Sequence, residues 1–308
     1  MPALEHLTDA LRQAGLDVAT DEPLARHTTY RIGGPADLFV TVRQRTDLRL
    51  ALALAAEHRT PHTLLGGGSN VLVSDAGMRG LVICNRCAAV EVRQEAQGSA
   101  GAQVWAESGV ILGALARQMA GLGLGGLFWA EGIPGALGGA LVGNAGAFGG
   151  SMSDLVVSVE VLTGAGVAEM LPADTLGFAY RSSWLKGDRA LVVTAATLQL
   201  TRCDPAEEVC RMRECAERRR ERQPVGPSAG SVFKNPAGDS AGRLIDAAGL
   251  KGARIGGALV SPKHANFILN ARGATAADVR ALIDQVRETV LRRCNVALEL
   301  EIELMGEF

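Results

Sequence analysis

The chain has no excess of charge of either sign. Its 31 Lys and Arg residues face 33 Asp and Glu, for a formal net charge of −2. No global field therefore draws it to nucleic acid or to an anionic membrane. It also has no long unbroken run of bulky apolar residues. The longest charge-free stretch, Gly132 to Ser153, contains Pro134 and eight glycines up to Gly150, so it is expected to be a Gly-rich buried loop rather than a membrane span. The opening residues, MPALEHLTDALRQAGL, lack the basic start and apolar centre of a secretion signal. Leu4, Leu7 and Leu11 recur there at helical spacing, which predicts a short surface helix on a cytoplasmic protein.

A second close cysteine pair is missing as well. Cys84 and Cys87 form a CxxC of the kind that binds zinc or exchanges electrons. Cys210 and Cys215 lie five apart, Cys203 and Cys294 stand alone, and no closed zinc site can be assembled from these spacings. Ordinary reduced thiols and no metal are expected.

The balance of 47% hydrophobic to 21% charged residues belongs to a folded globular protein, and 308 residues exceed one ordinary core. Two or three domains are expected. RIGGPADLFVTV, from Arg31, reads as a turn feeding an alternating strand. Thr46 is placed to cap a helix running to about His58. Strand, tight glycine loop, strand and another strand at Leu81 to Ile83 complete a β-α-β-β module ending near residue 90. From about Val90 to Leu200 the pattern is strand-rich. One helix shows clearly there, with Ile111, Leu112, Leu115 and Met119 on its face and Gly121 suited to its C-terminal cap.

Between Pro205 and Arg222, six arginines are interleaved with five glutamates, the mark of a helix with a solvated, salt-bridged face rather than a nucleic-acid surface. A short helix is expected from Ser240 to near Gly249. A longer one begins at Thr275, with Asp278 completing a capping box and Val279, Leu282, Ile283, Val286 and Val290 along one face. Val296 to Leu304 alternates apolar and acidic residues like a strand.

Two glycine motifs bear on chemistry. Gly121, Gly123 and Gly126 formally satisfy GxGxxG, but the motif ends a helix instead of opening one, so a dinucleotide fingerprint is excluded. Gly66, Gly67, Gly68, Ser69 and Asn70 lie between two strands and lack the Gly-Lys-Ser/Thr of a P-loop. Successive backbone N–H groups in such a loop can hold phosphate oxygens, with Ser69 and Asn70 adding side-chain bonds; a tight turn with no ligand is the plainer alternative. Gly132-Ile133-Pro134-Gly135, Gly138-Gly139 and Asn144-Ala145-Gly146 then remove side chains where a flat ligand could lie against backbone, or where strands simply pack closely.

Seven blocks in order carry a specific resemblance: HTTYRIGGPADLFV, LLGGGSNVLVSD, EGIPGALGGALVGNAGAFGG, FAYRSSWLK, SAGSVFKNP, AGRLIDAAGLKGARIGGALVSPKHANFI and LELEIEL. From about His27 to its end the chain resembles the UDP-N-acetylenolpyruvoylglucosamine reductase family of peptidoglycan synthesis. The resemblance implies an α+β fold: a two-part FAD-binding domain of the vanillyl-alcohol-oxidase type, over residues 1–90 and 91–203, plus a smaller α/β substrate-binding domain over 204–295. Residues 296–308 would be a closing strand carrying a catalytic glutamate. It implies a soluble NADPH-dependent oxidoreductase with non-covalent FAD. Gly66, Gly67, Gly68, Ser69, Asn70, Gly132, Ile133, Pro134, Gly135, Gly138, Asn144 and Gly146 would lie along the cofactor. NADPH would reduce the flavin, which would then pass hydride to the enolpyruvyl ether of a nucleotide sugar. Another flavin oxidase or dehydrogenase on the same fold is the competing expectation, and a covalently tethered flavin would favour it.

Three residues at matching positions make chemical sense. Hydride addition places negative charge beside the substrate carboxylate, and Arg181 offers a permanent bidentate cation. Unaided by the resemblance, Arg181 reads equally as a strand-end ion pair. Ser231 matches the family's proton donor, although Gly-Ser in a loop is ordinarily a turn. Glu301 matches the family's acidic partner, which burial would turn into an acid. Leu300 stands where the family commonly has proline, and strand spacing alone does not choose among Glu299, Glu301 and Glu303. Tyr180, Asn235, Lys251 and His264 are the candidates for gripping the substrate, with His264 equally readable as a structural histidine. Trp184-Leu185-Lys186-Gly187-Asp188 leads quickly to Leu191, so the chain resembles the shorter subgroup, which lacks the insertion bearing a substrate-binding tyrosine.

Overall fold

The long helix near the C-terminus forms where its sequence puts both a start signal and an apolar stripe. In the computed structural model, which describes residues 2–94, 101–163, 166–187 and 191–308, it spans Ala276–Cys294. Thr275 accepts from the Asp278 N–H while the Asp278 carboxylate accepts from the Thr275 N–H, so two orphan donors are satisfied. Asp75 adds bonds from the Ala276 and Ala277 N–H groups, at 2.8 and 2.9 Å. Val279, Leu282, Ile283, Val286 and Val290 are all buried. Each contributes about 1.5–3 kcal/mol relative to exposure.

The described residues divide into two units, each gathered from three stretches of chain. The first comprises residues up to Val18, Val40–Gly67 and Val82–Arg219; the second comprises Ala19–Phe39, Gly68–Leu81 and Arg220–Phe308.

The first unit is built on an antiparallel sheet. Its order is Ala168–Pro172, Val156–Leu162, Val192–Arg202, Gly101–Glu107, Val90–Gln94, and Leu124–Gly125 pairs with the end of Val192–Arg202. The central strand is buried along most of its length because both neighbours are long, with Ala196 opposite Val159 and Ala106. Val104, Leu115, Met119, Trp129, Leu137, Leu141, Val161 and Leu198 fill the core beneath the sheet. The second unit sets the helices Ala241–Ala247 and Ala276–Cys294 beside a small antiparallel sheet, Arg254–Ile255, Ala258–Val260 and Ile268–Asn270. Its other ladder is parallel and joins Glu303–Met305 to Val71–Val73. A further sheet runs in the order Val18–Pro23, Pro35–Val42, Met78–Asn85, His62–Leu65. Mixed helix and strand make this an α+β fold, as expected.

Several local expectations change. The helix expected to start at Thr46 is Arg45–Glu57 with Gln44 at its N-cap, because the Gln44 carbonyl already accepts from Asp47 and Leu48. The helix Leu112–Gly121 includes the expected cap residue as its last turn, its C-cap is Leu122, and the left-handed turn falls to Gly123 at φ +70°. The glycine-rich stretch is no single loop: it contains the short helix Leu137–Val142 and a strand pair, Gly146–Ala147 with Gly150–Ser151. The closing strand is also shorter, since only Glu303–Met305 joins a ladder. Leu300 turns aside to bridge Phe233. The short connection after Trp184 runs through residues 188–190, which lie outside the described residues.

The charged helix, Pro205–Arg222, is not solvated all round. Glu208, Met212 and Cys215 are buried at spacings of four and three. The Glu208 carboxylate accepts from the Gly126 N–H at 2.9 Å, holding Gly126, at φ +116°, just after the strand Leu124–Gly125. Among the described residues no helix is long and apolar enough to cross a membrane.

Candidate active site

Within the first unit, the two glycine loops press together through backbone. A Cβ on Gly67 would come within 2.7 Å of the Gly135 Cα, and one on Gly66 within 3.4 Å of the Ala136 Cβ. The Gly66 carbonyl accepts from Arg86 Nη1 at 3.1 Å, so this turn is held from behind. In contrast, the Cβ positions of Gly139 and Gly149 have nothing within 4 Å, and Gly132 and Pro134 are exposed. A cradle of this kind, closed on one side and bare of side chains on the other, fits a flat or extended group lying against backbone.

The expected cofactor residues therefore separate by role. Gly66, Gly67, Gly132 and Gly135 form the cradle, and Ile133 packs its side chain toward the core. Gly138 serves packing: its N–H donates to the Ser108 carbonyl at 2.8 Å, and a Cβ would meet Ser108 at 3.0 Å. Gly146 pairs with Ser151 in the small strand pair. Asn144, at φ +41°, spends its side chain inside the protein, donating to the Ala179 carbonyl and accepting from the Ser153 N–H, both at 3.0 Å.

Asn144 thereby braces the turn that carries Arg181. Ala179 and Ser182 exchange backbone hydrogen bonds at 2.9 and 3.1 Å, leaving Tyr180 and Arg181 as a two-residue hairpin turn. Ser183 holds its far side, donating to the Val142 carbonyl at 2.8 Å. Arg181 sits at φ +54°, a left-handed conformation costing an L-residue about 1–2 kcal/mol. Such strain persists only where surroundings impose it, and it concentrates at sites of function. Its guanidinium lies 5.3 Å from the ring centroid of the half-exposed Tyr180.

In the second unit the structure brings Asn70, Glu301 and the segment that follows Ser231 together. Gly68, at φ +60°, leaves no room for a Cβ against the His27 carbonyl, and its own carbonyl accepts from Thr29 N–H at 2.9 Å. The Thr29 hydroxyl donates to Ser228 at 2.7 Å, tying the glycine loop to the segment before Ser231. Asn70 Nδ2 donates to the Glu301 carbonyl at 3.1 Å, and the Asn70 carbonyl accepts from Glu303 at 2.9 Å. Immediately after Ser231, the Val232 carbonyl accepts from the Glu301 N–H, and Lys234 N–H donates to Glu299, both at 2.9 Å. Ser231 thus opens a segment bridged through backbone to the residues around Glu301.

Burial distinguishes the three glutamates that spacing left equal. Glu301 is half-buried, whereas Glu303 is exposed and Glu299 is exposed and paired with Lys234 at 3.2 Å.

Asn266 went unread in the sequence. It is 3% exposed, accepts from the Phe233 N–H at 2.9 Å and donates to the Phe233 carbonyl at 2.8 Å. Its own carbonyl takes the Val232 N–H. This one side chain fixes the segment that carries Ser231. Its only sequence signal is a polar residue inside the apolar run Ala265 to Leu269, and its partner lies 33 positions away.

The remaining candidates gather around one short helix. Asn235 Oδ1 accepts from the Ala241 N–H at 3.1 Å, and His264 lies where a Cβ on Gly242 would approach it to 3.1 Å. Burial lowers the His264 pKa, and Nδ1 accepts from the Asn266 N–H at 3.2 Å, so the ring is neutral with Nε2 as its donor. Lys251 pairs with Asp246 at 2.7 Å. The CxxC has no reactive character: Cys84 and Cys87 are buried, and burial, helped by Glu107, pushes the Cys87 thiol up to about 12. No group of three or more His, Cys, Asp or Glu among the described residues could hold a metal.

Comparison with known proteins agrees with this layout. Residues 36–170 match the family described as FAD binding domain, and residues 221–305 match UDP-N-acetylenolpyruvoylglucosamine reductase, C-terminal domain. The chain is 50% identical over 297 residues to the UDP-N-acetylenolpyruvoylglucosamine reductase of Moorella thermoacetica, covering 95% of this chain and 94% of that protein. It is 48% identical over 306 residues to UDP-N-acetylenolpyruvoylglucosamine reductase 2 of Symbiobacterium thermophilum, covering 99% and 97%. The crystal structure of the Thermus caldophilus enzyme superposes with a TM-score of 0.78 at 37% identity, over 94% of this chain and 99% of that one. Likeness of this extent, with a glycine cradle in the FAD-binding segment and the Val232–Glu301 backbone bond next to Ser231 in the C-terminal one, places the chain in the UDP-N-acetylenolpyruvoylglucosamine reductase family.

Proposed function

We propose that Arg181, Ser231 and Glu301 carry the reduction of the enolpyruvyl ether of a UDP-N-acetylglucosamine derivative to its lactyl ether, the family's step in peptidoglycan precursor synthesis. The observation that supports these roles best is the backbone bond from the Glu301 N–H to the Val232 carbonyl, which ties the segment after Ser231 to a residue with a half-buried carboxyl.

FAD, held non-covalently, would supply two-electron chemistry, allowing hydride from NADPH to reach the terminal carbon of the enol ether. The glycine cradle at Gly66, Gly67, Gly132 and Gly135 fits that cofactor because it bares backbone over an extended surface. Hydride addition converts the C=C bond to a carbanion conjugated with the substrate carboxylate. Arg181 stabilises that charge as a bidentate cation preset by its strained turn, so no reorganisation is needed when charge develops. Ser231 gives its proton to the carbon bearing the carboxylate, and Glu301 helps hold the enolate and restore the serine's proton. Tyr180, Asn235, Lys251 and His264 are proposed to grip the nucleotide sugar. In this reading residues 1–90 and 91–203 hold FAD, 204–295 bind substrate and 296–308 supply Glu301. The enzyme works in the cytoplasm, with a nucleotide sugar and not a nucleic acid as its partner.

Purified protein loaded with FAD should form one lactyl product per NADPH consumed, and the flavin should separate from the chain on denaturation. NADPH consumption without that product would reject the substrate. A flavin that stays attached would instead favour an oxidase or dehydrogenase of another kind.

A further inference from the structure

Behind the glycine cradle, in the first unit, lies a cation that the reaction does not use. Arg86 is half-buried, and its Nη1 donates to the Gly66 carbonyl at 3.1 Å. Its backbone N–H donates to the Val42 carbonyl at 2.8 Å, so the end of Met78–Asn85 lies beside the end of Pro35–Val42. The residues that follow these two strands, Arg86 and Arg43, reach one cleft. It holds about 460 Å³, and Gln44, Arg45, Thr46 and Glu107 also line it. The open glycines of the cradle, Gly139 and Gly149, do not.

Three guanidiniums and one carboxylate thus line the cleft, and they do not cancel. Arg45 pairs with Glu160 at 2.5 Å, and Glu160 also accepts from Trp105 Nε1 at 2.6 Å. Glu107 is 6% exposed and accepts from the Ala89 N–H at 2.7 Å. Among the described residues no ion pair joins Arg43 or Arg86 to a carboxylate. Arg43 is exposed, so water answers its charge. A half-buried cation such as Arg86 has lost part of its hydration, and a counter-anion would offset that cost. The cleft also meets the start of the 13-residue helix Arg45–Glu57. Its N-cap residue, Gln44, makes no side-chain cap bond, which leaves the first N–H groups of the helix for another acceptor.

We propose that this cleft binds the phosphate group of a small phosphorylated ligand other than the flavin, with Arg43 and Arg86 holding it from the sides and the helix start from below. Arginine presents paired N–H donors that match phosphate oxygens, and a helix start adds N–H groups and a favourable dipole. Donors from two guanidiniums and a helix start outnumber the two oxygens of a carboxylate and suit the greater number on a phosphate. The volume exceeds what one phosphate fills, so the remainder of the ligand has room beside it.

The test is calorimetric titration of the FAD-loaded enzyme with inorganic phosphate, at constant ionic strength and without NADPH or nucleotide sugar. One phosphate per chain should bind. Arg43→Met should lose about tenfold in affinity, the scale of one charged hydrogen bond. Arg43→Lys, which keeps the charge but not the paired donors, should lose less. Arg49→Met removes an exposed cation of the same helix that does not line the cleft, and it should bind phosphate as the parent protein does. Arg43 is exposed, so its variants should keep the flavin and the parent rate of turnover. Absence of saturable binding, or equal losses in Arg43→Met and Arg49→Met, would overturn the proposal. Release of the flavin as phosphate binds, or displacement of phosphate by UDP-N-acetylglucosamine, would place the anion in the reaction site and overturn the separate site as well.

Discussion

Ser231→Ala is expected to slow the reoxidation of reduced flavin by the enolpyruvyl nucleotide by about 10²–10⁴-fold, the range of a lost general acid. Reduction of the flavin by NADPH should change by less than about twofold, because that half-reaction moves no proton to substrate carbon. The separation of effects follows from how Ser231 is held. The backbone after it is fixed by Asn266 and by the backbone bond from Glu301, neither of which depends on the serine hydroxyl. Alanine at a half-buried loop position should cost stability by no more than about 0.5 kcal/mol. Stopped-flow absorbance on the two half-reactions reads the effects separately. Unchanged reoxidation would transfer the proton-donor role away from Ser231.

Asn266→Ala should act on both stability and rate. Its side chain answers the N–H and the carbonyl of the same buried residue, Phe233. Alanine leaves both without a partner, at about 1–3 kcal/mol for each buried unsatisfied group. The melting temperature of the FAD-loaded enzyme should fall by roughly 5–15 °C. The segment carrying Ser231 would then be free to shift against Glu301, and misplacement by about 1 Å costs on the order of 10²-fold in rate. Scanning calorimetry together with steady-state kinetics checks this. A variant that melts early but turns over at the parent rate would make Asn266 a packing residue only.

Asn266 also marks the limit of what the chain displays before it folds. Features set by neighbours in sequence were readable. Thr275 and Asp278 reciprocate across three residues, and the apolar stripe from Val279 to Val290 faces the core as its period requires. The seven ordered blocks located the glycine cradle, the Arg181 turn and the Ser231 segment. What stayed hidden depends on partners far along the chain. Asn266 meets Phe233 only after folding, and alternation from Val296 to Leu304 gave no warning that Leu300 would bridge Phe233 and end the expected strand. Spacing left three glutamates equal, whereas in the fold they differ in burial, Glu301 being half-buried and the other two exposed. Glu208 lies between these cases. The spacing from Glu208 through Met212 to Cys215 was present in the sequence, but abundant charge on all sides masked the glutamate that is buried.

The most direct test of the whole account is an anaerobic half-reaction watched in the visible spectrum. NADPH should bleach the bound flavin, and adding UDP-N-acetylglucosamine enolpyruvate without oxygen should rapidly restore the oxidised spectrum with one equivalent of lactyl product per flavin. Bleaching with no return on addition of that nucleotide would contradict the assignment of the reaction.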